Sequence, residues 1–254
     1  MRYFLEIAYQ GTHYHGWQVQ QNATTVQGVL QAKLSQLLRQ DVKVVGSSRT
    51  DRGVHARQQF AHLDVAVPID SQQLLHRLNA VLPKDIALVA IKPVKPTAHA
   101  RFDASSRTYQ YTILQARDPF QHTTSYLRYS TLDVVSMNRA ATHLCGQKDF
   151  QGFSKAHTDV AHNFCTVYEA FWTQQAAQLQ FQIRANRFLR GMVRFIVSHL
   201  LQVGKGLLTE AAFAALLEAK TRCAAVPLVP AHGLALVAVA YPAAIFLTPA
   251  PIAN

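Results

Sequence analysis

One carboxylate in this sequence, Asp51, lies between Arg49 and Arg52 in the segment VVGSSRTDRGVHARQQFAHLD, residues 44–64. Gly53 follows at once and favours a tight turn, so Asp51 either hydrogen-bonds within its own turn or takes part in chemistry. Two nearby guanidinium groups stabilise the ionised form of a carboxylate. An ionised acid among cations can act as a nucleophile or as a base beside a polyanion.

A second group of candidate residues lies in the segment HARFDASSRTYQY, residues 99–111, which mixes cationic and aromatic side chains. Alternation along a strand places Tyr109 and Tyr111 on the same face, where they either fill the core or present a ring at the edge of a cleft. A tyrosine at a cleft edge can stack on a base and hydrogen-bond through its hydroxyl. Tyr109 is therefore a candidate for contact with a base.

Three arginines recur in a third segment, RFLRGMVRFIVSHLLQV, whose apolar periodicity predicts one long helix over residues 187–203. On such a helix Arg187, Arg190 and Arg194 fall within a sector of about 60°, opposite the apolar side. Three cations without an acid on one face suit contact with phosphate groups, although an ordinary solvated face has the same composition. The pattern alone leaves both interpretations open.

The composition of the whole chain agrees with a polyanionic partner. Its 254 residues include 25 Lys and Arg against 14 Asp and Glu, which gives a formal net charge of +11, and 49% of the residues are hydrophobic. These values are typical of a globular chain with one large domain or two ordinary ones rather than of a disordered chain. A net positive field favours nucleic acid or an anionic membrane surface.

Both ends of the chain disfavour the membrane. The opening MRYFLEIAYQG alternates like a strand and contains Glu6, so it does not read as a secretory signal. The uncharged stretch from residue 223 onward contains five prolines and would not span a bilayer as one helix. We therefore expect a nucleic acid as the partner.

Cysteines and histidines form no metal or redox motif. Cys145, Cys165 and Cys223 are widely separated and lack a C-x-x-C pair, which predicts reduced, buried thiols in a cytoplasm. His13 and His15 have H-x-H spacing but no third ligand that the sequence places near them. Phosphate-binding glycine loops and dinucleotide fingerprints are also missing. We predict no metal and no cofactor.

Periodicity and turn signals predict the elements that position these residues. The first half runs in this order: strand RYFLEIAY, helix TTVQGVLQAKLSQLLRQ capped by Thr24 or Thr25, strands DVKVVGS and QQFAHLDVAV, a helix that ends at Pro83, and strand IALVAIKPV. Asp51 would therefore stand in the turn between two strands, at the mouth of a sheet.

A polar crossing segment follows, and then the order begins again. The second half has strand RTYQYTIL, a helix through Met137 and Leu144, strands CTVYEAFWTQ and QLQFQIRAN, the long helix, an inserted helix TEAAFAALLEAK and a final strand LALVAVAY. Two β-α-β-β-α-β units predict an α+β fold of two tandem ferredoxin-like halves, residues 1–100 and 101–254, with mainly antiparallel sheets. Such a pair would leave an active-site cleft between the halves.

Four motifs, SSRTDRGVHA, ARFDASSRTYQY, ANRFLRGMVRFIV and PAHGLALVAVAYP, occur in the order of the tRNA pseudouridine synthase A family, which this sequence resembles over nearly its whole length. The resemblance implies an isomerase acting on uridines in the anticodon stem and loop of tRNA. The uracil is detached from its ribose, turned, and rejoined through C5 rather than N1. Because no group is added, no cofactor is required. The resemblance also implies a homodimer with one tRNA lying across both subunits.

The resemblance assigns roles to single residues. Asp51 would be the nucleophile, attacking either the uracil ring or the anomeric carbon, and Arg49 would pair with Asp51 or hold the phosphate of the flipped nucleotide. Arg194 would complete the cationic frame. Tyr109 would stack on the target base and help to remove the proton from C5, while Leu234 would pack against the opposite face of the ring.

A paired uridine lies inside a helix, so the enzyme must extrude it, at a cost of roughly a few kcal/mol. Contacts to the tRNA backbone would offset that cost, and the candidates for them are Arg101, Arg107, Arg190 and His99. Arg52 stands where the family motif most often has a small residue; it would stabilise ionised Asp51 further, contact RNA or point to solvent. The segment KAHTDVAHNFC, residues 155–165, matches no pattern, so its part in RNA contact is open.

The rival interpretation is a non-catalytic RNA-binding protein with paired RNA-recognition-like domains, because that fold has the same β-α-β-β-α-β order. It would require an aromatic-rich [RK]-G-[FY]-[GA]-[FY] motif on a central strand, which neither QQFAHLDV nor QLQFQIRA contains. A third interpretation, a metal-dependent phosphohydrolase, would require clustered acids that the sequence lacks.

Overall fold

The structure is a computed structural model that describes residues 1–155, 162–219 and 226–247. Within these residues the chain forms ten β-strands and five α-helices. It divides into two compact units, the first made of Met1–Ser105 with the segment from Leu236 onward and the second of Ser106–Ala235. Cys223 and most of the segment 155–165 lie outside the described residues. The predicted α+β class with mainly antiparallel sheets is confirmed.

The first unit is built on a sheet of strands β1 (Arg2–Tyr9), β2 (Val44–Gly46), β3 (His55–Asp64), β4 (Ile86–Val94) and β10 (Leu234–Ala240), and β10 belongs to this unit from Leu236 onward. Their order is β4-β1-β3-β10, with β2 paired to β3, and β1 is antiparallel to both of its neighbours. Leu5 and Ile7 of β1 are fully buried while Glu6 between them is half-buried. This alternation turns Leu5 and Ile7 towards the core.

In the first unit, one helix begins and another ends at a residue that the sequence indicates. The first, α1 (Val26–Leu38), is capped by Thr25, whose hydroxyl accepts from the amide of Gly28 over 3.2 Å. The second, α2 (Ser71–Val81), stops at Leu82, because Pro83 cannot continue a helix. Strand β3 differs from its prediction: it begins at His55 rather than at Gln58 and ends at Asp64.

The second unit contains strands β5 (Ser106–Leu114), β6 (Tyr126–Leu127), β7 (Gly146–Asp149), β8 (Phe164–Gln175) and β9 (Gln178–Ala185) and helices α3 (Val134–Thr142), α4 (Met192–Gly204) and α5 (Glu210–Glu218). The sheet order is β5-β9-β8-β7, and β6 runs parallel to β5. Strands β6 and β7 were not predicted. The sequence of β7, GQKD, has no apolar alternation, and it forms through its antiparallel pairing with β8.

The predicted helix over residues 187–203 is wrong at its start. Helix α4 begins at Met192, because Gly191 at its N-cap has a φ of 74°, outside the right-handed helical region. Arg187 and Arg190 therefore lie in the loop before α4 and share no helical face with Arg194. The apolar pattern gave a wrong start for the helix because Leu189, which lies in the loop before α4, is buried like a residue on the apolar side of a helix.

None of the helices in the described ranges is long and apolar enough to cross a membrane.

Candidate active site

Asp51 lies in a tight turn between β2 and β3. The amide of Val54 donates to the carbonyl of Asp51 over 3.1 Å, which closes a four-residue turn. Gly53, the third residue of that turn, has a φ of 78°, a conformation that glycine adopts without steric cost. The turn indicated by the sequence is therefore present.

The backbone of the segment between β1 and α1 braces this turn. The amide of Trp17 donates to the carbonyl of Thr50 over 3.2 Å, and the amide of Gly53 donates to the carbonyl of Tyr14 over 3.3 Å. Gly16, with a φ of 90°, lies so close that a Cβ on it would stand 2.4 Å from the Thr50 carbonyl oxygen. The two chain segments thus touch backbone to backbone on both sides of Asp51.

Buried side chains secure the two ends of the turn. The hydroxyls of Tyr9 and Thr50 hydrogen-bond over 2.9 Å. The amide of Gly11 donates to Nδ1 of His55 over 2.9 Å, so a neutral His55 ring carries its proton on Nε2. A Cβ on Gly11 would also lie 2.0 Å from the carbonyl oxygen of Val54. Only glycine fits at that position.

The three charged residues of the turn differ in exposure. Asp51 is half-buried, whereas Arg49 and Arg52 are exposed. Asp51 is therefore partly accessible, is adjacent in sequence to Arg52 and lies on a backbone with little freedom. Such a group can attack an electrophilic carbon or accept a proton.

Tyr109 occupies the middle of β5, opposite Ile183 of β9. Its side chain is 7% exposed, and its ring and that of Phe188 meet at nearly a right angle, with the ring centroids 5.0 Å apart. Tyr111, two residues further along the strand, is fully buried. Both tyrosines are therefore packed on the core side, and Tyr109 keeps a small accessible area.

Arg194, in the first turn of α4, is tied to the chain that precedes β10. Its Nε donates to the carbonyl of Val229 over 2.8 Å, and its own carbonyl accepts from the hydroxyl of Ser198 over 2.8 Å. The same hydroxyl oxygen accepts from the amide of Val229 over 2.9 Å. Arg194 thus supports the chain while it carries a positive charge.

Tyr111 supports the same stretch from β5. Its hydroxyl donates to the carbonyl of Pro230 over 2.9 Å, and burial raises the pKa of Tyr111, so the phenol keeps its proton. A Cβ on Gly233 would lie 2.6 Å from the Tyr111 ring, which leaves room for glycine alone. Leu234 follows directly as the first residue of β10, and its side chain is buried.

His232 adds no charge to this region near neutral pH. Its side chain is half-buried, and burial together with the positive charge of Arg194 lowers its pKa. Near neutral pH the imidazole of His232 is therefore neutral beside the charged Arg194.

The four predicted tRNA-backbone residues have different surroundings. Arg101 and Arg190 are exposed, as phosphate contacts would be. Arg107 is 8% exposed, and its Nη1 donates to the carbonyl of Asn186 over 2.9 Å. His99 is half-buried. Their contacts with RNA stay a prediction.

Sequence reasoning missed the residues that brace the Asp51 turn. Gly11, Gly16 and Trp17 belong to the segment GTHYHGW, in which only the two histidines suggested chemistry. Both histidines are exposed. The available signal was the spacing of two glycines and a tryptophan in a short loop, since glycine commonly marks a close approach of backbones.

The expectation that the cysteines are buried is resolved in part. Cys165 is buried, and burial raises the pKa of its thiol to about 11. Cys145 is exposed, so its predicted burial is wrong; it follows α3 just before β7 begins. Within the described parts of the chain, no three His, Cys, Asp or Glu side chains are grouped so that they could hold a metal ion.

Known proteins resemble this chain along nearly its whole length. The family profile described as tRNA pseudouridine synthase matches residues 7–103 and 140–242. The tRNA pseudouridine synthase A of Parabacteroides distasonis is 49% identical over 246 residues, which cover 96% of this chain and 98% of that protein. The proteins of the same name from Bacteroides thetaiotaomicron and Porphyromonas gingivalis are 47% and 46% identical, with 96% and 97% of this chain and 92% and 99% of those proteins covered.

These matches include the Asp51 turn, Arg194 and Leu234. The chain belongs to the tRNA pseudouridine synthase family. The predicted resemblance is thereby confirmed.

Proposed function

We propose that this protein converts uridine to pseudouridine in the anticodon stem and loop of tRNA, with Asp51 as the nucleophile. Family membership supports the isomerase reaction. The observation that carries the assignment of Asp51 is the braced turn, in which backbone hydrogen bonds on both flanks hold a half-buried carboxylate beside two exposed arginines. A fixed nucleophile loses little entropy when it attacks.

The proposed reaction needs no second reactant. The bond from C1′ to N1 breaks and a bond from C1′ to C5 forms, while C5 loses its proton and N1 gains one. Asp51 forms a covalent adduct either with the uracil ring or with the anomeric carbon while the base turns, and this bond to Asp51 breaks again once C1′ is joined to C5, which regenerates the carboxylate. The proposal therefore includes no cofactor.

The other residues bind and orient the extruded base. Tyr109 stacks on the uracil and assists the removal of the C5 proton, and Leu234 packs on the opposite face of the ring. Arg49 and Arg194 supply positive charge to the phosphate of the flipped nucleotide or to Asp51. The buried contacts of Arg194 and Tyr111 support this role, because they fix the chain that leads into Leu234.

The candidates for positioning the tRNA backbone are Arg101, Arg107 and Arg190, which are cationic, and His99, whose ring is neutral while its Nδ1 accepts from two backbone amides. We further propose that the fold consists of two tandem ferredoxin-like halves and that the protein acts in the cytoplasm as a homodimer. The antiparallel sheets with helices in each unit support the ferredoxin-like assignment.

A tritium-release assay tests the proposed reaction. The protein is incubated with unmodified tRNA labelled with tritium at C5 of its uridines, in the presence of a chelator, and the label that appears in water is counted. We expect release that stops when the anticodon-arm uridines are consumed, because C5 exchanges its hydrogen for a carbon bond.

The matched control is the same tRNA with cytidine in place of the uridines of the anticodon arm. No release from the first tRNA would contradict the isomerase assignment. Undiminished release from the second would contradict the anticodon-arm assignment alone.

A further inference from the structure

The turn at residues 98–103, which follows β4, has an unusually complete set of backbone hydrogen bonds. Every backbone amide in this turn donates a hydrogen bond. Those of Ala98 and Asp103 donate to the carbonyls of Lys95 and His99. The other four donate to side chains: His99 to Asp103 Oδ2, Ala100 to His62 Nδ1, and both Arg101 and Phe102 to His99 Nδ1. These bonds are 2.7 to 3.3 Å long. A short loop held at every amide has little conformational freedom.

Two side chains fix the carbonyl groups of the same turn. Nη1 of Arg2 donates to the carbonyl of Ala98 over 2.8 Å, and the hydroxyl of Tyr241 donates to the carbonyl of Ala100 over 2.5 Å. Both donors come from strands or segments of the first unit that lie far from the turn in sequence. The turn is therefore part of the folded unit rather than a loose connection.

This rigid turn displays an aromatic side chain to solvent. Phe102 is 73% exposed. The ring of His99 lies against it, with the centroids 4.3 Å apart and the planes inclined by 34°, and Cζ of Arg101 is 5.5 Å from its centroid. One exposed phenylalanine needs no explanation by itself. An exposed ring that packs against an imidazole, with a guanidinium over it, on a fixed backbone is a different arrangement.

Phe120 shows the contrast. It is 94% exposed, and among the described residues neither a ring nor a cation is paired with it. Exposure alone is therefore common to both phenylalanines. Phe102 differs from Phe120 because its ring contacts the ring of His99 and has the guanidinium of Arg101 over it.

We propose that Phe102 is a stacking platform for an unpaired base of the substrate RNA and that Arg101 binds the adjacent phosphate. Every base has a π-face, so an aromatic ring beside a cation binds single-stranded nucleotides with little sequence preference. Because the turn is already ordered, stacking costs little conformational entropy. In this proposal His99 is a positioning residue, since its Nδ1 is occupied by two amides and its ring supports Phe102. The inference rests on the proposed function, which supplies the RNA.

The test is the affinity of the full-length Asp51→Asn protein for unmodified tRNA, measured from low to high salt, so that binding is observed without conversion. We expect Phe102→Ala to raise Kd between about 5-fold and 100-fold at every salt concentration, because base stacking is lost. The slope of log Kd against log salt should not change, because no charge is removed. Arg101→Ala should instead lower that slope by about 1, the value for one phosphate contact.

Two further variants sharpen the test. Phe102→Trp should restore the affinity, because it keeps a stacking surface, and Phe120→Ala should bind like the parent protein. Light scattering on each variant reports the oligomeric state. The proposal is supported if Phe102→Ala loses affinity for tRNA while Phe102→Trp and Phe120→Ala keep it.

The proposal is overturned if Phe102→Ala binds within 2-fold of the parent across the salt range. It is also overturned if Phe102→Ala changes the oligomeric state instead of the affinity, since the ring would then contact protein. Failure of the proposed function has a different signature: the wild-type protein would release no tritium, whatever residue stands at position 102.

Discussion

The two regions that carry the proposed active-site residues are held by different kinds of contact. The Asp51 turn is braced chiefly by backbone hydrogen bonds and by the close approach of Gly16. The chain that leads into Leu234 is held by side chains, those of Arg194, Ser198 and Tyr111. Asp51 can therefore be replaced without removing the backbone hydrogen bonds that brace its turn, whereas replacements in the second region alter structure and chemistry together.

The largest expected effect is that of a methyl group at position 16. Gly16→Ala places a Cβ against the Thr50 carbonyl and forces alanine into a φ of 90°. We expect a loss of about 3 kcal/mol in the free energy of unfolding, from steric overlap added to backbone strain. Urea denaturation measures it.

The matched control is Gly206→Ala. Gly206 also has a positive φ, of 70°, but nothing lies within 4 Å of its Cβ position. It should lose only about 1 kcal/mol, from backbone strain alone. Equal losses in the two variants would show that the approach to Thr50 does not brace the turn.

The turn at residues 98–103 is also held by side chains, and one of them, His62, titrates. Burial, and then the charges of Arg2 and His99, lower the pKa of His62 to about 4 from an ordinary value of 6.5. The unfolded chain binds this proton more readily, so stability is full above pH 6.5 and falls as the pH drops towards 4. We expect a loss on the order of 2 kcal/mol over that window.

His62→Gln provides the check on this pH dependence. Glutamine keeps an acceptor for the amide of Ala100 but does not titrate. Unfolding free energies measured from pH 8 to pH 4 should therefore fall less steeply in the variant. Parallel curves for the two proteins would show that another group causes the loss.

Tyr111→Phe should cost about 2 kcal/mol, because the carbonyl of Pro230 loses its buried donor. Tritium release should fall as well, since the same hydrogen bond fixes the chain before Leu234. Tyr168→Phe, at a tyrosine that is 46% exposed, is the control and should change neither property. If Tyr111→Phe is as stable as the wild type, the hydrogen bond from Tyr111 to Pro230 does not hold the chain before Leu234.

Ser198→Ala should have the smallest effect, about 1 kcal/mol. The carbonyl of Arg194 keeps its place in the helix, so only the amide of Val229 loses a partner. Thermal denaturation reports the change. A loss as large as that of Tyr111→Phe would place the main support of this chain on α4 rather than on β5.

Local patterns predicted a large part of the fold. Strand β4 has the predicted bounds, and the ends of α1 and α2 follow from Thr25 and Pro83, because caps and breakers act within a few residues. The turn around Asp51 was also predictable, since Gly53 directly determines its geometry.

Contacts between distant parts of the chain were not predictable in this way. The approach of Gly16 to Thr50 depends on how two loops meet, and neither loop has a periodicity that records it. Helix α4 starts at Met192 because Gly191 adopts a left-handed conformation, while the apolar spacing continues without a break through Leu189. Strand β7 forms by pairing with β8 and has no pattern of its own.

The most direct test of the central claim is tritium release by Asp51→Asn under single-turnover conditions, with unfolding free energy and tRNA affinity measured on the same protein. We expect release to fall by at least about 1,000-fold, as for the removal of a covalent nucleophile. Stability and Kd should stay close to the wild-type values, because the turn is held by its backbone. Release within 10-fold of the wild type would contradict the account.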